Sequence, residues 1–205
     1  MLNYIMQCRF VSLAVLLTIV SAGAWADAMS DCGQSRDHDM VIRGCSELIG
    51  RNPSDANAYY NRGTSYLAKG LLDLAIADFD WAIQRNPRDA EPHNNRGNAY
   101  MRKDQYERAL KDYARAIELN PKHVLAWNNR GEAYENLKKL DLALESYSKA
   151  IELNPKYARS WKNRGDIYAA QGNKERAAVE YRKALELAPG YKFAQEALKR
   201  MGSQP

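Results

Sequence analysis

The sequence lacks the motifs on which most enzyme, cofactor and metal sites depend. Its 205 residues contain no glycine-rich phosphate loop, no His-Glu-x-x-His segment and no cysteines spaced as Cys-x-x-Cys. The three histidines are His38, His93 and His123, and none has a nearby serine or cysteine in a nucleophile context. The position of His93 favours a packing role over that of a catalytic base. These absences predict a protein that is not an enzyme and needs no cofactor or metal.

The charge pattern also lacks a strong bias. The chain has 30 basic and 25 acidic residues, a formal net charge of +5, and both signs are interspersed. Nucleic-acid-binding proteins normally gather basic residues into a run or onto one face, and no such run is present. We therefore expect no nucleic-acid partner.

Only the N-terminus contains a continuous apolar run. Arg9 is the single charged residue before the apolar segment 11–20, which is followed by small residues that end in Ala24-Trp25-Ala26. This order predicts a secretory signal peptide, residues 1–26, cut before Asp27. The alternative is a membrane anchor. A helical span needs about 20 apolar residues, and the apolar segment 11–20 is shorter than that. We expect a periplasmic or secreted protein with no membrane attachment after cleavage.

Cysteine is scarce, and after removal of the signal peptide two cysteines would remain, Cys32 and Cys45. Exported proteins commonly pair such residues in a disulfide. The closed loop of about 14 residues would contribute roughly 3 kcal/mol in the chain-entropy model. Free thiols are the main alternative. A metal site that includes His38 is disfavoured, because zinc sites usually show closely paired ligands and four of them.

The most abundant feature of the sequence is a pattern that recurs every 34 residues. A fixed period of this length predicts stacked repeats of helix pairs. Four full units follow one another, 56–89, 90–123, 124–157 and 158–191. A partial repeat within 27–55 precedes them, and a capping helix with a short tail, 192–205, follows. In the third unit we expect helices over 124–137 and 142–153, joined by a turn at 138–141.

Small and aromatic residues recur at fixed places in each unit. Glycine stands eighth and tyrosine eleventh, alanine stands twentieth and twenty-seventh, and an aromatic residue stands twenty-fourth. Glycine inside a helix costs about 1 kcal/mol relative to alanine. Its fourfold use predicts close approach of the two helices. One helix pair cannot bury its apolar face alone, so the units must stack. In the final helix we expect Phe193, Ala197 and Leu198 to cover the last unit.

This pattern closely resembles the tetratricopeptide repeat family. The resemblance implies an all-α fold, an α-solenoid in which antiparallel helix pairs form a right-handed superhelix. It also implies that the first helices line a concave groove that holds peptides. The sequence departs from the family at the seventh position, which is arginine in every unit. We expect ion pairs of Arg62 with Asp78, Arg96 with Asp112 and Arg164 with Glu180, and Ser146 interrupts this series in the third unit.

Asparagine occupies the sixth position of every unit, although it is a poor helix former. In the family this position faces the groove. An amide both donates and accepts a hydrogen bond, so a row of amides could hold a peptide backbone. The alternative is that the row is inherited from repeat duplication or bonds neighbouring helices. The candidate peptide-binding residues are this row and its neighbours: Asn61, Asn95, Asn129, Asn163, Asn94, Asn98, Arg102, Asn128, Arg159 and Lys162.

The resemblance implies a non-catalytic scaffold or adaptor for protein–protein interaction, which binds an extended peptide or a partner helix in the concave groove. A structural or assembly component that acts by self-association or through its convex face is the alternative. Some family members hold a terminal carboxylate through a Lys/Asn/Asn/Lys/Arg clamp. Only three of the five equivalent positions fit here, so we do not expect that ligand. The sequence identifies neither the partner nor the oligomeric state.

Overall fold

The computed structural model describes residues 26–202, and within them every regular element is a helix. The predicted all-α fold class is confirmed. The predicted signal peptide lies outside the described residues except for its last residue, Ala26. The helices are α1 (26–34), α2 (His38–Arg51), α3 (Ala56–Ala68), α4 (Leu72–Arg85), α5 (Ala90–Met101), α6 (Tyr106–Leu119), α7 (Val124–Asn136), α8 (Leu140–Leu153), α9 (Ala158–Ala170), α10 (Lys174–Leu187) and α11 (Lys192–Arg200).

The chain divides into two compact units, with the boundary between Pro87 and Arg88. The first unit contains α1–α4. In it α3 packs against both α2 and α4. Cys32 and Cys45 form a disulfide, with their Cα atoms 4.7 Å apart, which joins α1 to α2. Both cysteines are buried together with Val41 and Ala58. The short segment before α2 is therefore a helix, and it contributes the buried Cys32 to the core of this unit.

The second unit contains α5–α11 as three helix pairs and a final helix. Each first helix packs on the second helix of its own pair, α5 on α6, α7 on α8 and α9 on α10. The second helices α6 and α8 also pack on the first helix of the next pair. This packing in sequence order is what stacked repeats require. Among residues 26–202, no helix is both long and apolar enough to cross a membrane.

The recurring glycines lie where paired helices approach most closely, as predicted. A Cβ atom placed on Gly131 would lie 2.5 Å from a ring carbon of Tyr147. The equivalent distance is 2.6 Å from Gly97 to Tyr113. Real Cβ contacts are longer than this, so only glycine lets the aromatic ring of the second helix lie against the first helix.

The predicted ion pairs are present. The Arg62 guanidinium donates two hydrogen bonds of 2.8 Å to Asp78. The corresponding groups also pair in Arg96–Asp112 and Arg164–Glu180. In the third repeat Arg130 donates instead to the Ser146 hydroxyl, at 3.1 Å. These arginines orient the two helices of a pair and take no part in the pocket described below.

Two expectations about helix positions were wrong. The helix α8 begins at Leu140, two residues earlier than expected. The turn is shorter because Lys138 adopts a positive φ of 59°, which reverses the chain at once. In α11 the buried residues are Ala194, Ala197 and Leu198, whereas Phe193 is 62% exposed. Position 193 stands four residues before Ala197, so spacing alone would place it beside the buried stripe. Phe193 lies in the first turn of α11, where its ring meets Tyr191 edge to face and lines an open pocket.

Candidate functional site

The predicted asparagine row is divided between the two units. Asn61 lies half-buried on α3 in the first unit. The other nine candidate residues lie on α5, α7 and α9 of the second unit, with Arg102 directly after α5. Asn94 and Asn128 are only 2% and 0% exposed. Burial of this degree means that these two amides face neighbouring helices and not solvent.

Hydrogen bonds between repeats account for most of the buried amides. The Asn129 amide on α7 donates to Asn94 Oδ1 at 3.2 Å and to Asn98 Oδ1 at 2.9 Å, both on α5. One repeat later, the Asn163 amide on α9 donates to Asn128 Oδ1 at 3.3 Å and to Glu132 Oε1 at 3.0 Å, both on α7. The row thus connects successive first helices to one another.

Further polar bonds complete this network. The Ser160 hydroxyl donates to Asn128 Oδ1 at 3.0 Å, and the Asn94 amide donates to Asn95 Oδ1 at 3.1 Å. Buried polar groups need such partners, because an unpaired one costs about 1–3 kcal/mol. The asparagines of α5, α7 and α9 therefore bond to neighbouring first helices, and peptide binding by the row stays a prediction.

An open pocket of about 590 Å³ lies on the first-helix side of the second unit. Three of the candidate residues, Arg159, Lys162 and Asn163, line it. Among the described residues, those of its wall come from α7, α9 or the start of α11 and not from the second helices. The remaining lining residues are Glu132, Glu135, Asn136, Asp166, Tyr191 and Phe193.

Charged side chains of the pocket are paired in a definite pattern. The Arg159 guanidinium lies 2.7 Å from Glu132 Oε1, and the Lys162 ammonium lies 2.5 Å from Asp166 Oδ2. Burial by itself lowers the pKa of Arg159, but Glu132 together with Tyr157 and Tyr191 acts in the opposite direction, and the net shift is upward. Both cations of the pocket are therefore held by carboxylates of the same wall.

The third carboxylate, that of Glu135, has a different environment. It accepts a hydrogen bond of 2.8 Å from the hydroxyl of Tyr147, a fully buried residue of α8. Burial raises the pKa of Glu135, and the nearby Asp166 and Glu132 raise it further, whereas the Tyr147 bond and Lys162 lower it. Three carboxylates and two cations leave the pocket with one excess negative charge, at Glu135.

Two aromatic residues at the start of α11 form one wall. The rings of Tyr191 and Phe193 meet edge to face with centroids 5.9 Å apart. Lys162 Nζ lies 5.9 Å from the centre of the Phe193 ring. Sequence reasoning missed this wall because it placed Phe193 in the core. The periodic pattern gave no signal for this wall, because Phe193 stands four residues before the buried Ala197.

Two of the histidines, His93 and His123, each lie close to a carboxylate. His93 is 7% exposed, and its Nδ1 atom lies 3.6 Å from Asp112 Oδ1, next to the Arg96 ion pair. His123, the residue directly before α7, has its Nε2 atom 3.3 Å from Oε1 of Glu91 on α5. In the part of the chain that the structure describes, no three histidine, cysteine or acidic residues are grouped so as to hold a metal ion.

Helix pairs of this kind define an all-α repeat protein whose first helices carry the pocket. The tetratricopeptide repeat models match residues 56–89, 94–158 and 139–192. The chain belongs to the tetratricopeptide repeat family. Proteins of this family serve as scaffolds for protein–protein interaction, and this general role applies to the chain.

Several solved structures share the fold. The crystal structure of MamA is 27% identical, has a TM-score of 0.68, and the match covers 74% of this chain and 88% of MamA. YrrB, described as a tetratricopeptide repeat protein with an unusual peptide-binding site, is 26% identical, with a TM-score of 0.65 and coverage of 79% and 84%. TTC0263 of Thermus thermophilus is 24% identical, with a TM-score of 0.67 and coverage of 80% and 89%. A comparison with curated proteins gave no significant match.

Proposed function

We propose that this protein is a non-catalytic adaptor that binds an extended peptide segment of a partner in the pocket of its second unit. The observation that carries the proposal is the pocket of about 590 Å³ on the first-helix side. Small, well-formed concave sites with a few polar groups and aromatic walls are typical binding sites. YrrB, a relative with the same fold, is described as having a peptide-binding site.

The side chains suited to bind the peptide differ from those of the asparagine row. Asn129 and Asn163 already donate to the preceding first helix. Their replacement would disturb the packing of the repeats as well as any binding. The side chain of Arg159 is 51% exposed, and Phe193 as a whole residue is 62% exposed. A ligand can therefore reach both without rearrangement of the fold.

We further propose that the adaptor works outside the cytoplasm, in the periplasm or beyond. Two features support this location. The order of basic, apolar and small residues over 1–26 is typical of a signal peptide. The disulfide between Cys32 and Cys45 would persist in an oxidising compartment.

An unbiased display library of random 12-residue peptides, selected on the purified protein, tests the binding function. We expect selected peptides to bind the wild type measurably by fluorescence anisotropy. Phe193→Ala should weaken this binding at least about tenfold, because aromatic anchors dominate peptide interfaces. Loss of a side chain that is 62% exposed should leave folding intact.

Val179→Ala is the matched control. Val179 is 61% exposed and lies on α10, a second helix that contributes nothing to the pocket wall. The control should bind like the wild type. Failure to select any peptide, or equal affinity of both variants, would contradict binding in this pocket. Weakened binding by Val179→Ala alone would favour the convex face.

A further inference from the structure

The charges of the pocket wall indicate the kind of peptide that the pocket accepts, and this step rests on the proposed peptide-binding function. The pocket wall contains Glu132, Glu135 and Asp166 against Arg159 and Lys162. Asn136 and Asn163 are uncharged, as are the two aromatic residues. The wall therefore has an excess of one negative charge, and the ion pairs locate this excess.

Within residues 26–202, Glu135 is the pocket carboxylate that forms no ion pair, although Lys162 is close enough to lower its pKa. Glu132 receives Arg159 at 2.7 Å and also the Asn128 and Asn163 amides at 3.1 and 3.0 Å. Asp166 receives Lys162 at 2.5 Å and the Tyr181 hydroxyl at 2.8 Å. The hydrogen-bond donor to Glu135 is the neutral hydroxyl of Tyr147, which occupies Oε2. A carboxylate has room for further donors.

The environment of Glu135 makes a cation the favoured addition. Half-burial weakens hydration of the ionised carboxylate, and its two acidic neighbours repel it. A positive charge brought to Oε1 would relieve both penalties, and charge-assisted hydrogen bonds are about twice as strong as neutral ones. Lys162, the cation whose charge acts on Glu135, is already paired with Asp166.

The aromatic wall supplies the second half of the site. Phe193 is exposed over the pocket, and Lys162 already lies 5.9 Å from the centre of its ring. Faces of aromatic rings attract ammonium and guanidinium groups. The apolar stems of lysine and arginine can also lie along such a ring. One wall of the pocket thus suits the body of a basic side chain, and Glu135 suits its charged end.

We propose that the pocket recognises a peptide through a lysine or arginine side chain, which pairs with Glu135 and lies against Phe193. An acidic peptide would have to compete with Glu132 and Asp166 for Arg159 and Lys162. A ligand of that charge would also face the unbalanced carboxylate. Charge complementarity therefore favours the basic ligand.

The composition of the selected 12-residue peptides is the first test. Peptides that depend on Phe193 should be enriched in lysine or arginine at one aligned position. One such peptide is then made in two forms, with arginine or with the neutral isostere citrulline at that position. We expect citrulline to weaken binding to the wild type about tenfold.

Glu135→Gln is the matching protein variant, because glutamine keeps an oxygen that can accept the Tyr147 hydrogen bond. It should weaken binding of the arginine form about tenfold and change binding of the citrulline form less than twofold. Glu118→Gln removes an exposed carboxylate of α6 outside the pocket and should change neither. Circular dichroism confirms that each variant is folded.

The outcomes separate this inference from the function on which it rests. Peptides that require Phe193 but show no basic position, or that are acidic, would overturn the inference and leave peptide binding standing. Equal binding of the arginine and citrulline forms to the wild type would overturn it even if Glu135→Gln failed to fold. Absence of any selected peptide would overturn both proposals.

Discussion

At the scale of single residues, the four recurring glycines determine how closely the helices of a pair approach. Tyr147 illustrates the constraint. Its ring lies fully buried against Gly131, and its hydroxyl is fixed by Glu135 in the pocket wall. The contact of Tyr147 with Gly131 therefore helps to position Glu135, the carboxylate that we assign to ligand binding.

Replacement of Gly131 by alanine should destabilise the protein. Alanine improves helix propensity by about 1 kcal/mol, but its Cβ would lie 2.5 Å from the Tyr147 ring. Overpacking of a core typically costs about 1–3 kcal/mol. An approach of 2.5 Å is severe, so we place the overpacking cost in the upper part of that range, about 2–3 kcal/mol. The expected net loss in the free energy of unfolding is then about 1–2 kcal/mol, measured by urea denaturation and circular dichroism.

The control for this substitution is Gly50→Ala. Gly50 lies in α2, and a Cβ there would meet no atom within 4 Å. Only the propensity effect remains, so this variant should gain up to about 1 kcal/mol. A Gly131→Ala protein as stable as the wild type would show that the Tyr147 ring can move aside.

At the scale of elements, the same turn joins the two helices of each repeat. The fifteenth residue of every repeat has a positive φ, of 79° at Gly70, 56° at Asp104, 59° at Lys138 and 78° at Gly172. This region costs a residue with a side chain roughly 1–2 kcal/mol. Two of the repeats therefore make the turn with glycine, and two make it with a strained residue.

Substitutions at this position should have opposite signs in neighbouring repeats. Lys138→Gly should raise the free energy of unfolding by about 0.5–1 kcal/mol, because part of the relieved strain is offset by the greater freedom of glycine in the unfolded chain. Gly172→Ala should lower it by about 1 kcal/mol. Since a Cβ at Gly172 meets no atom within 4 Å, the effect there is one of backbone alone.

Thermal unfolding of the two variants and the wild type provides the comparison. The repeats share one turn geometry, so each variant serves as a control for the other. Equal melting temperatures for all three proteins would mean that the turn relaxes to a negative φ without cost.

At the scale of the whole molecule, the chain assigns different tasks to different segments. The N-terminal residues 1–26 carry the predicted export signal, the first unit contains the disulfide, and the second unit contains the pocket. Export and disulfide formation are linked, because thiols are kept reduced in the cytoplasm.

This link gives a prediction for the protein in a bacterial host. The full-length chain should be recovered from the periplasm, begin at Asp27 by N-terminal sequencing and contain no free thiol after denaturation. A form that lacks residues 2–26 should remain in the cytoplasm with Cys32 and Cys45 as thiols, detected by alkylation and mass spectrometry. Recovery of the full-length chain from the cytoplasm with residues 1–26 intact would contradict export.

The sequence by itself determined the repeats, the helix pairs and several contacts between them. Period and composition were enough because each repeat must bury the same apolar stripe. The glycine against an aromatic ring and the arginine before an acidic residue sixteen positions later are local features of one helix pair. Their partners lie within a single repeat, so the fixed spacing reveals them.

Only the tertiary structure decided how the side chains of the first-helix surface are used. Asn129 and Asn163 form bonds to the preceding repeat, at separations of 31 to 35 residues. The stacking of three helices decides which cation pairs with Glu132 and which with Asp166. It also decides that, among the described residues, the hydrogen-bond donor to Glu135 is the neutral Tyr147 hydroxyl. Phe193 lines the pocket because the small turn before α11 sets the rotation of that helix, and no periodic signal in the chain specifies that angle.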